Sequence, residues 1–379
     1  MGTTGRLFYA DSESDADLFY LTRFLAGDPF LYLEVDGKKT LFLSDLEVDR
    51  GRQHSAVDEV VRLATITEVV KERYPEMPSD PWVRIGAHVH VIAERRGLQS
   101  FKVPGSFPLA LADIVRGHGH GVRWLPPPFV SERLSKTPEE VAKIRRAIEH
   151  TEAAMTAAID RIRAADIRDG MLLENGEPLT SEQVRFTIDR LLLGRDCYSY
   201  HAIVAGGDQG VDPHERGHGP LPADLPIILD IFPRDNATRY HGDMTRTVVR
   251  GRASDDAKKM FRAVREAKER AEAMLRDGVD GHEVHEAVKK TLADAGFETG
   301  ERNGRMEGFF HGTGHGLGLS VHELPRVGAV HETMRAGCVV TVEPGLYYRG
   351  TGGVRLEDDV LITQDGCENL CTLGNEFEI

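Results

Sequence analysis

Two apolar runs near the start of the chain are separated by a pair of residues that favours a sharp reversal. Phe30-Leu-Tyr-Leu-Glu-Val35 and Thr40-Leu-Phe-Leu-Ser44 flank Asp36-Gly37. Asp-Gly between such runs is typical of a two-residue β-hairpin turn. The pattern therefore predicts an antiparallel hairpin over residues 30–44.

The rest of the first third mixes helical and strand periods and ends at a proline-rich segment, Leu125-Pro-Pro-Pro-Phe129. Successive prolines stop both helix and sheet, so we place a domain boundary there. The sequence predicts a small α/β domain over residues 1–130. Its other expected elements are a helix over 57–73, a strand over 82–85 and a helix over 89–96.

The remaining residues, 135–379, begin with a strong helix signal. Thr137-Pro-Glu-Glu140 is a capping box with proline at the first helical position. The predicted elements that follow are a shorter helix over 181–193 capped by Thr180, strands over 199–249, a long helix over 254–275, a shorter helix over 282–295 and strands over 309–362.

That order is long helix, short helix and antiparallel strands, twice over. It predicts an α+β domain of two pseudo-symmetric halves with a sheet shared between them. A functional site is expected on the sheet where the halves meet.

Composition narrows the function classes. The 379 residues carry a net charge of −14, which argues against nucleic acid as the main partner. The four cysteines include no Cys-x-x-Cys pair, and we expect reduced thiols rather than a zinc site or disulfides. The N-terminus lacks a signal-peptide pattern and no apolar run is long enough to span a bilayer. The expected location is cytoplasmic, away from membranes.

Candidate chemistry starts at a second hairpin pattern with an acid on each arm, Asp230 and Asp243. Facing carboxylates need a compensating cation or a shared proton. Downstream, three histidines (His311, His315 and His322) lie in a glycine-rich run, and Glu343 ends a strand at a Pro-Gly turn.

A further strand, Gly353-Val-Arg355-Leu-Glu357, places Arg355 and Glu357 on one face because strand side chains repeat every second residue. A buried acid in an apolar strand is costly unless it is paired or metal-bound. Two Asp, two Glu and one His suit a pair of divalent ions, with an expected separation of about 3.5 Å.

These motifs carry a family resemblance. Asp230, Asp243-Met-Thr-Arg-Thr247, the run from His311 to Glu323, Glu343-Pro-Gly-Leu-Tyr347 and Arg355-Leu-Glu357 resemble the dinuclear metallopeptidases of the pita-bread fold. That group includes methionine aminopeptidase, aminopeptidase P and prolidase. The likeness covers about residues 135–379, and residues 1–130 look like the N-terminal domain of aminopeptidase P and prolidase.

The resemblance implies a set of metal ligands, with manganese as the first choice of ion and cobalt or zinc as alternatives. The implied ligands are Asp230, Asp243, His315, Glu343 and Glu357. Family hairpins usually read Asp-x-Gly and are two residues shorter, whereas Ile231 and Phe232 follow Asp230 here. Asp235 therefore stays open as the alternative first ligand.

The resemblance also implies roles outside the ligand set. His214, His311, His322, Glu343 and Arg355 match catalytic positions, with Glu343 as proton shuttle and His322 beside the oxyanion. His214, His322, Arg326 and Arg355 match substrate-binding positions.

The implied activity is cleavage of Xaa-Pro bonds in peptides (aminopeptidase P) or dipeptides (prolidase), by a homodimer. Two alternatives on the same fold stay open. One is a metal-free hydrolase similar to creatinase, and the other is a non-enzymatic binding protein. Both are expected to lack part of the ligand set.

Overall fold

The computed structural model describes residues 3–76 and 79–379. They form two compact units, one ending at Ser131 and the other beginning at Glu132. Among the described helices, none combines the length and the apolar character needed to cross a bilayer.

The first unit is built on a six-stranded sheet of order β4-β3-β2-β1-β5-β6. Its strands are β1 (Thr3–Ala10), β2 (Phe30–Val35), β3 (Lys38–Leu43), β4 (Glu59–Arg62), β5 (Leu98–Val103) and β6 (Gly121–Trp124). Its helices are α1 (Ala16–Thr22), α2 (Val48–His54), α3 (Ala64–Arg73), α4 (Pro81–Arg96) and α5 (Leu109–Gly117).

The predicted hairpin is confirmed as the antiparallel pair β2–β3. Asp36 and Gly37 have φ angles of 50° and 80°. Both central residues of a type I′ turn need positive φ, which Asp-Gly tolerates better than most pairs.

Two other expectations for this unit are wrong. The predicted helix over 57–73 begins only at Ala64, because the β-branched Val60 and Val61 pair in parallel with β3. The predicted strand over 82–85 is the first turn of α4. The carboxylate of Asp80 accepts hydrogen bonds from the backbone N–H groups of Trp82 and Val83, and Pro81 sits at the first position. This N-cap outweighs the strand pattern of a short apolar run.

The helices of the second unit confirm the sequence prediction closely. They are α6 (Pro138–Arg163), α7 (Ser181–Leu193), α8 (Asp255–Met274) and α9 (Gly281–Asp294). Thr137 and Thr180 both form complete capping boxes. Short 3-10 turns lie at Ser131–Arg133 and Gly207–Val211.

The strands of the second unit fall into several antiparallel sheets. In the first half they are β7 (Asp166–Arg168), β8 (Met171–Glu174), β9 (Glu177–Pro178), β10 (Cys197–Tyr198), β11 (Ile203–Gly206), β12 (Ile227–Ile231), β13 (Arg234–Asp235) and β14 (Met244–Val248). In the second half they are β15 (Gly300–Arg302), β16 (Arg305–Glu307), β17 (Gly314–Gly316), β18 (Glu323–Val327), β19 (Val339–Val342), β20 (Gly345–Tyr348), β21 (Gly352–Arg355), β22 (Asp358–Ile362) and β23 (Cys367–Asn369).

Each half buries a helix pair against its own strands. Helices α6 and α7 pack on the sheet β11-β12-β14, and α8 and α9 pack on the strands around β19 and β22. The halves meet where the backbone N–H of Glu357 donates to the carbonyl of Thr245 at 3.1 Å. The hydroxyl of Thr247 also donates to the carbonyl of Arg355 at 2.8 Å.

Candidate active site

The first half supplies two predicted ligands from paired strands. Asp230 lies in β12 opposite Thr245 of β14, and Asp243 directly precedes β14. All five residues of β12 are buried, so the carboxylate of Asp230 projects from an otherwise apolar strand. Holding such a group requires a charged or polar partner.

The second half brings the remaining predicted ligands to the same place. His315 lies in β17, Glu343 follows β19, and Glu357 lies between β21 and β22. The Nε2 atom of His315 is 3.5 Å from Glu343 Oε1 and 3.9 Å from Asp243 Oδ2. Ligand atoms of Asp243, His315 and Glu357 all lie within 4.8 Å of one another.

This cluster holds more negative charge than its surroundings balance. Burial, followed by the charges of neighbouring carboxylates, raises the pKa of Asp243 and Glu357 well above the ordinary values. Burial raises the pKa of Glu343 to about 8, and the charge of Asp230 adds to the shift. Neighbouring carboxyl groups with raised pKa values cannot all be ionised unless a cation balances their charge; otherwise some of them stay protonated.

A divalent cation fits this site. The Oδ1 atom of Asp230 is buried and has no hydrogen-bond partner among the described residues. Burial lowers the pKa of His315 to about 4, with His322 adding to the effect, so the ring is neutral and keeps a lone pair. Carboxylate oxygens with one neutral imidazole form a donor set suited to manganese, cobalt or zinc.

Arg355 connects the two arms of the site. Its NH2 group donates to Asp230 Oδ2 at 2.7 Å, and its Nε donates to the hydroxyl of Thr245 at 3.2 Å. That hydroxyl donates in turn to Glu357 Oε2 at 2.7 Å. Arg355 thereby fixes Asp230 directly and Glu357 through Thr245.

Tyr347 extends this network and was not singled out by the sequence. Its hydroxyl accepts from Arg355 NH1 at 2.9 Å and lies 2.9 Å from His311 Nε2. His311 Nδ1 lies 2.8 Å from the carbonyl of Gly312 and donates to it, which leaves Nε2 to accept the hydroxyl proton of Tyr347. The only sign of it in the sequence is a tyrosine four residues after Glu343, at the end of the run Glu343-Pro-Gly-Leu-Tyr347.

Asp359 is a second residue that the sequence did not indicate. It is fully buried in β22, and its Oδ2 accepts from the backbone N–H of Asp243 at 2.9 Å. Asp359 therefore positions the backbone of a predicted ligand from the opposite half.

The predicted substrate-binding residues border the cluster. His322 packs edge-on against His315, with ring centroids 4.3 Å apart. Burial lowers the pKa of His322, and the charges of His214 and Arg326 add to the shift. The residues His214, His322 and Arg326 are all exposed, so a ligand can reach them beside the buried carboxylates.

The alternative first ligand lies elsewhere. Asp235, in β13, accepts from Arg146 Nε at 2.7 Å and from the backbone N–H of Thr238 at 2.8 Å. It belongs to a separate group with His150 and Cys197. Of the two candidates, Asp230 is the one whose charge adds to burial in raising the pKa of Asp243, Glu343 and Glu357.

Comparison with known proteins agrees with this architecture. Residues 142–364 match the model of metallopeptidase family M24. That match spans more than half of the chain, so the protein belongs to metallopeptidase family M24 and is a hydrolase of the metallopeptidase class.

Individual relatives cover nearly the whole chain. An Xaa-Pro dipeptidase from Pyrococcus furiosus is 27% identical over 360 residues, covering 91% of this chain and 88% of the relative. The structure of X-Pro aminopeptidase from Thermotoga maritima superposes with a TM-score of 0.79 at 22% identity, covering 100% of this chain and 98% of the other. Xaa-Pro dipeptidase from Bacillus anthracis superposes with a TM-score of 0.81 at 22% identity, covering 100% and 95%. The structural likeness identifies the α+β pita-bread fold that the sequence predicted.

Proposed function

We propose that the protein hydrolyses the peptide bond between an N-terminal residue and proline, using two divalent ions. Manganese is the proposed ion, with cobalt or zinc as substitutes. The observation that carries the proposal is the buried group of carboxylates around neutral His315, where Asp230 Oδ1 finds no partner within residues 3–76 and 79–379. The names of the relatives, Xaa-Pro dipeptidase and X-Pro aminopeptidase, support the choice of bond.

The proposed ligands are Asp230, Asp243, His315, Glu343 and Glu357. Ions bound there would polarise the scissile carbonyl and lower the pKa of attacking water. Glu343, whose pKa is raised by burial, is the residue proposed to carry the proton from that water to the leaving imino nitrogen.

Residues around the cluster have proposed roles in binding. The ring N–H of His322 stabilises the oxyanion as it forms, and His214 orients the peptide. The exposed guanidinium of Arg326 offers a planar pair of donors for a substrate carboxylate. Arg355 holds Asp230 in place, and His311 supports Tyr347.

Peptide hydrolysis tests this proposal directly. Metal-stripped protein is assayed with Xaa-Pro and Xaa-Pro-Yaa peptides before and after addition of Mn²⁺, Co²⁺ or Zn²⁺. Release of Xaa from both substrates after metal addition indicates aminopeptidase P activity, and release from the dipeptide alone indicates prolidase activity. Absence of release with every ion would reject the peptidase function. Activity on a guanidino compound that survives chelation would support the metal-free alternative.

The family resemblance also suggests a cytoplasmic homodimer with domains over residues 1–130 and 135–379. Sedimentation velocity measures the oligomeric state, and a monomer at micromolar concentration would remove the dimer from the proposal.

A further inference from the structure

A second group of metal-ligating side chains lies outside the candidate active site. It contains one histidine, one cysteine and one aspartate: His150 of α6, Cys197 of β10 and Asp235 of β13. One ligand atom from each lies within 4.8 Å of the others. Cys197 and Asp235 are directly opposite in the β10–β13 ladder, so the two short strands present both side chains to the same helix.

The group is well buried. Cys197 is 2% exposed and Asp235 is 1% exposed, while the ring of His150 is 14% exposed. The Nε2 atom of His150 is buried without a hydrogen-bond partner among the described residues. It lies 3.6 Å from Asp235 Oδ2, which is too long for a hydrogen bond but close to the spacing of two ligands on one ion.

We propose that His150, Cys197 and Asp235 form a mononuclear site for a borderline-soft divalent cation such as zinc. The sulfur, nitrogen and oxygen donors match the ligand types that zinc accepts and differ from the all-oxygen sites preferred by magnesium or calcium. A thiolate and a carboxylate balance the two positive charges of the ion. The thiol proton leaves to solvent when the sulfur–metal bond forms, and no electrons are transferred.

Existing contacts hold Asp235 and the strand that carries Cys197 in place. The backbone N–H of Thr238 donates to Asp235 Oδ1 at 2.8 Å. The other carboxylate oxygen, Oδ2, faces His150 and also accepts from Arg146. Such contacts orient ligands in metal sites. Asn236 is fixed to Asp196 by a side-chain bond of 3.0 Å and a backbone bond of 3.0 Å, so the two strands are held in register beside α6.

Two arginines compete with an ion. Arg146 donates to Asp235 Oδ2 at 2.7 Å, and Arg195 NH1 lies 3.3 Å from His150 Nδ1. Metal binding through Nε2 requires the proton on Nδ1, so Arg195 must move away. The side chain of Arg146 is 52% exposed and Arg195 is an exposed residue. Both guanidinium groups therefore have solvent available when an ion displaces them.

The Cys197 thiol determines how binding depends on pH. Burial, with the charges of Asp235 and Asp196, raises its pKa to about 11, and its S–H donates to the carbonyl of Arg195 at 3.6 Å. Burial keeps His150 neutral by lowering its pKa. Because a metal must displace the thiol proton, affinity should rise about tenfold per pH unit between pH 7 and 9.

The site would tie α6 to the segment between Asp230 and Asp243, since Asp235 lies inside that segment. Its role is therefore structural and is independent of the proposed peptidase activity. An ion that binds only the folded protein raises its thermal stability by mass action.

Cobalt titration of the manganese-loaded protein tests the proposal. Sulfur bound to Co²⁺ gives a charge-transfer absorption in the near ultraviolet, and the proposed dinuclear centre has no sulfur ligand. We expect the final intensity of the band to correspond to one sulfur–cobalt bond per chain, because Co²⁺ that replaces Mn²⁺ in the proposed dinuclear centre adds no sulfur absorption. The band should disappear in Cys197→Ser and persist in Cys371→Ser. Cys371 is the matched control because its Sγ lies beside another buried carboxylate residue, 3.4 Å from the backbone nitrogen of Asp359.

His150→Gln provides a second arm if Cys197→Ser does not fold. We expect at least about tenfold weaker Co²⁺ binding in this variant, with peptide hydrolysis unchanged as evidence of an intact fold. A lack of sulfur absorption in the wild-type protein would overturn the proposal. A band that survives in Cys197→Ser, or Co²⁺ affinity that His150→Gln leaves unchanged, would do the same.

Discussion

Replacement of Asp230 by asparagine distinguishes the two candidates for the first ligand of the proposed dinuclear centre. The side chain keeps its size but loses its charge. One amide oxygen still accepts from Arg355, which now donates to Oδ2 at 2.7 Å. The other position, Oδ1, has no hydrogen-bond partner in the described part of the chain. It becomes an NH2 group that points hydrogen atoms at the proposed cation site.

The expected effect falls mainly on the metal-bound form. Loss of a ligand weakens ion binding by at least about tenfold to a hundredfold, or about 1.4–2.7 kcal/mol. Without metal, loss of the Arg355 charge pair is offset by reduced repulsion from Asp243 and Glu357, whose pKa values the charge of Asp230 raises. The unfolding free energy of the metal-free protein should therefore change less than that of the loaded protein.

Calorimetric titration with Mn²⁺ measures the loss of ion affinity. Release of the first residue from an Xaa-Pro dipeptide measures the loss of hydrolysis. Asp235→Asn is the matched control, because it changes the same chemical group in the same hairpin but away from the cluster. We expect it to keep hydrolysis and the Mn²⁺ affinity of the proposed dinuclear centre, since the separate site proposed around Asp235 contains a sulfur ligand and favours zinc. The argument fails if Asp230→Asn binds Mn²⁺ like the wild type, or if Asp235→Asn is the variant that loses activity.

Three further predictions concern the network, the glycine-rich run and pH. Tyr347→Phe leaves Arg355 and His311 each short of a buried partner and should lower the unfolding free energy, measured in denaturant titrations, by about 1–3 kcal/mol. The control is Tyr348→Phe, which removes an exposed hydroxyl in contact with the carbonyl of Glu298 and should change the unfolding free energy by less than about 0.5 kcal/mol. Equal effects of the two substitutions would contradict the network. Gly314→Ala would place a Cβ 1.9 Å from the carbonyl oxygen of Thr341, whereas a Cβ at Gly312 would lie 3.5 Å from its nearest atom. In thermal unfolding, Gly314→Ala should therefore destabilise the protein by about 1–3 kcal/mol, and Gly312→Ala should not. The unfolding free energy of the metal-free protein should fall as the pH rises from 6.5 to 8. The pKa of Glu343 is about 8 in the folded state and ordinarily 4.5, so over this range the folded state holds a proton that the unfolded state has released. His315, with a folded pKa of about 4 and an ordinary value of 6.5, adds no slope above pH 6.5. Saturating Mn²⁺ should flatten this pH profile, and a metal-free profile that is already flat would refute the assignment.

Local signals in the sequence predicted much of the fold. The capping boxes at Thr137 and Thr180 and the Asp36-Gly37 turn depend on residues within a few positions of one another, and the structure confirms each. The prediction of a strand over residues 82–85 was wrong because a short apolar run fits a strand or a helix equally well. There the Asp80 cap decided the outcome.

Fewer of the contacts in the candidate site could be predicted from local signals in the sequence. Acids at strand ends can be recognised from the sequence, and the structure brings Asp243, His315 and Glu357 together. The position of Tyr347 against Arg355, and of Asp359 against Asp243, depends on which strands face each other across the halves. The choice between Asp230 and Asp235 depends on the path of a hairpin whose spacing differs from the family pattern.

The division of the proposed ligands between two halves bears on how the protein would acquire the proposed ions during synthesis. Thr245 and Glu357 touch at 2.7 Å although 112 positions separate them. A nascent chain that has completed only α6 to β14 carries Asp230 and Asp243 without the other three ligands. Since domains emerge from the ribosome N-terminal part first, the proposed dinuclear site would not be complete until almost the last strand had been made. Ion capture would then be one of the final events of maturation, and truncated chains would remain metal-poor and inactive.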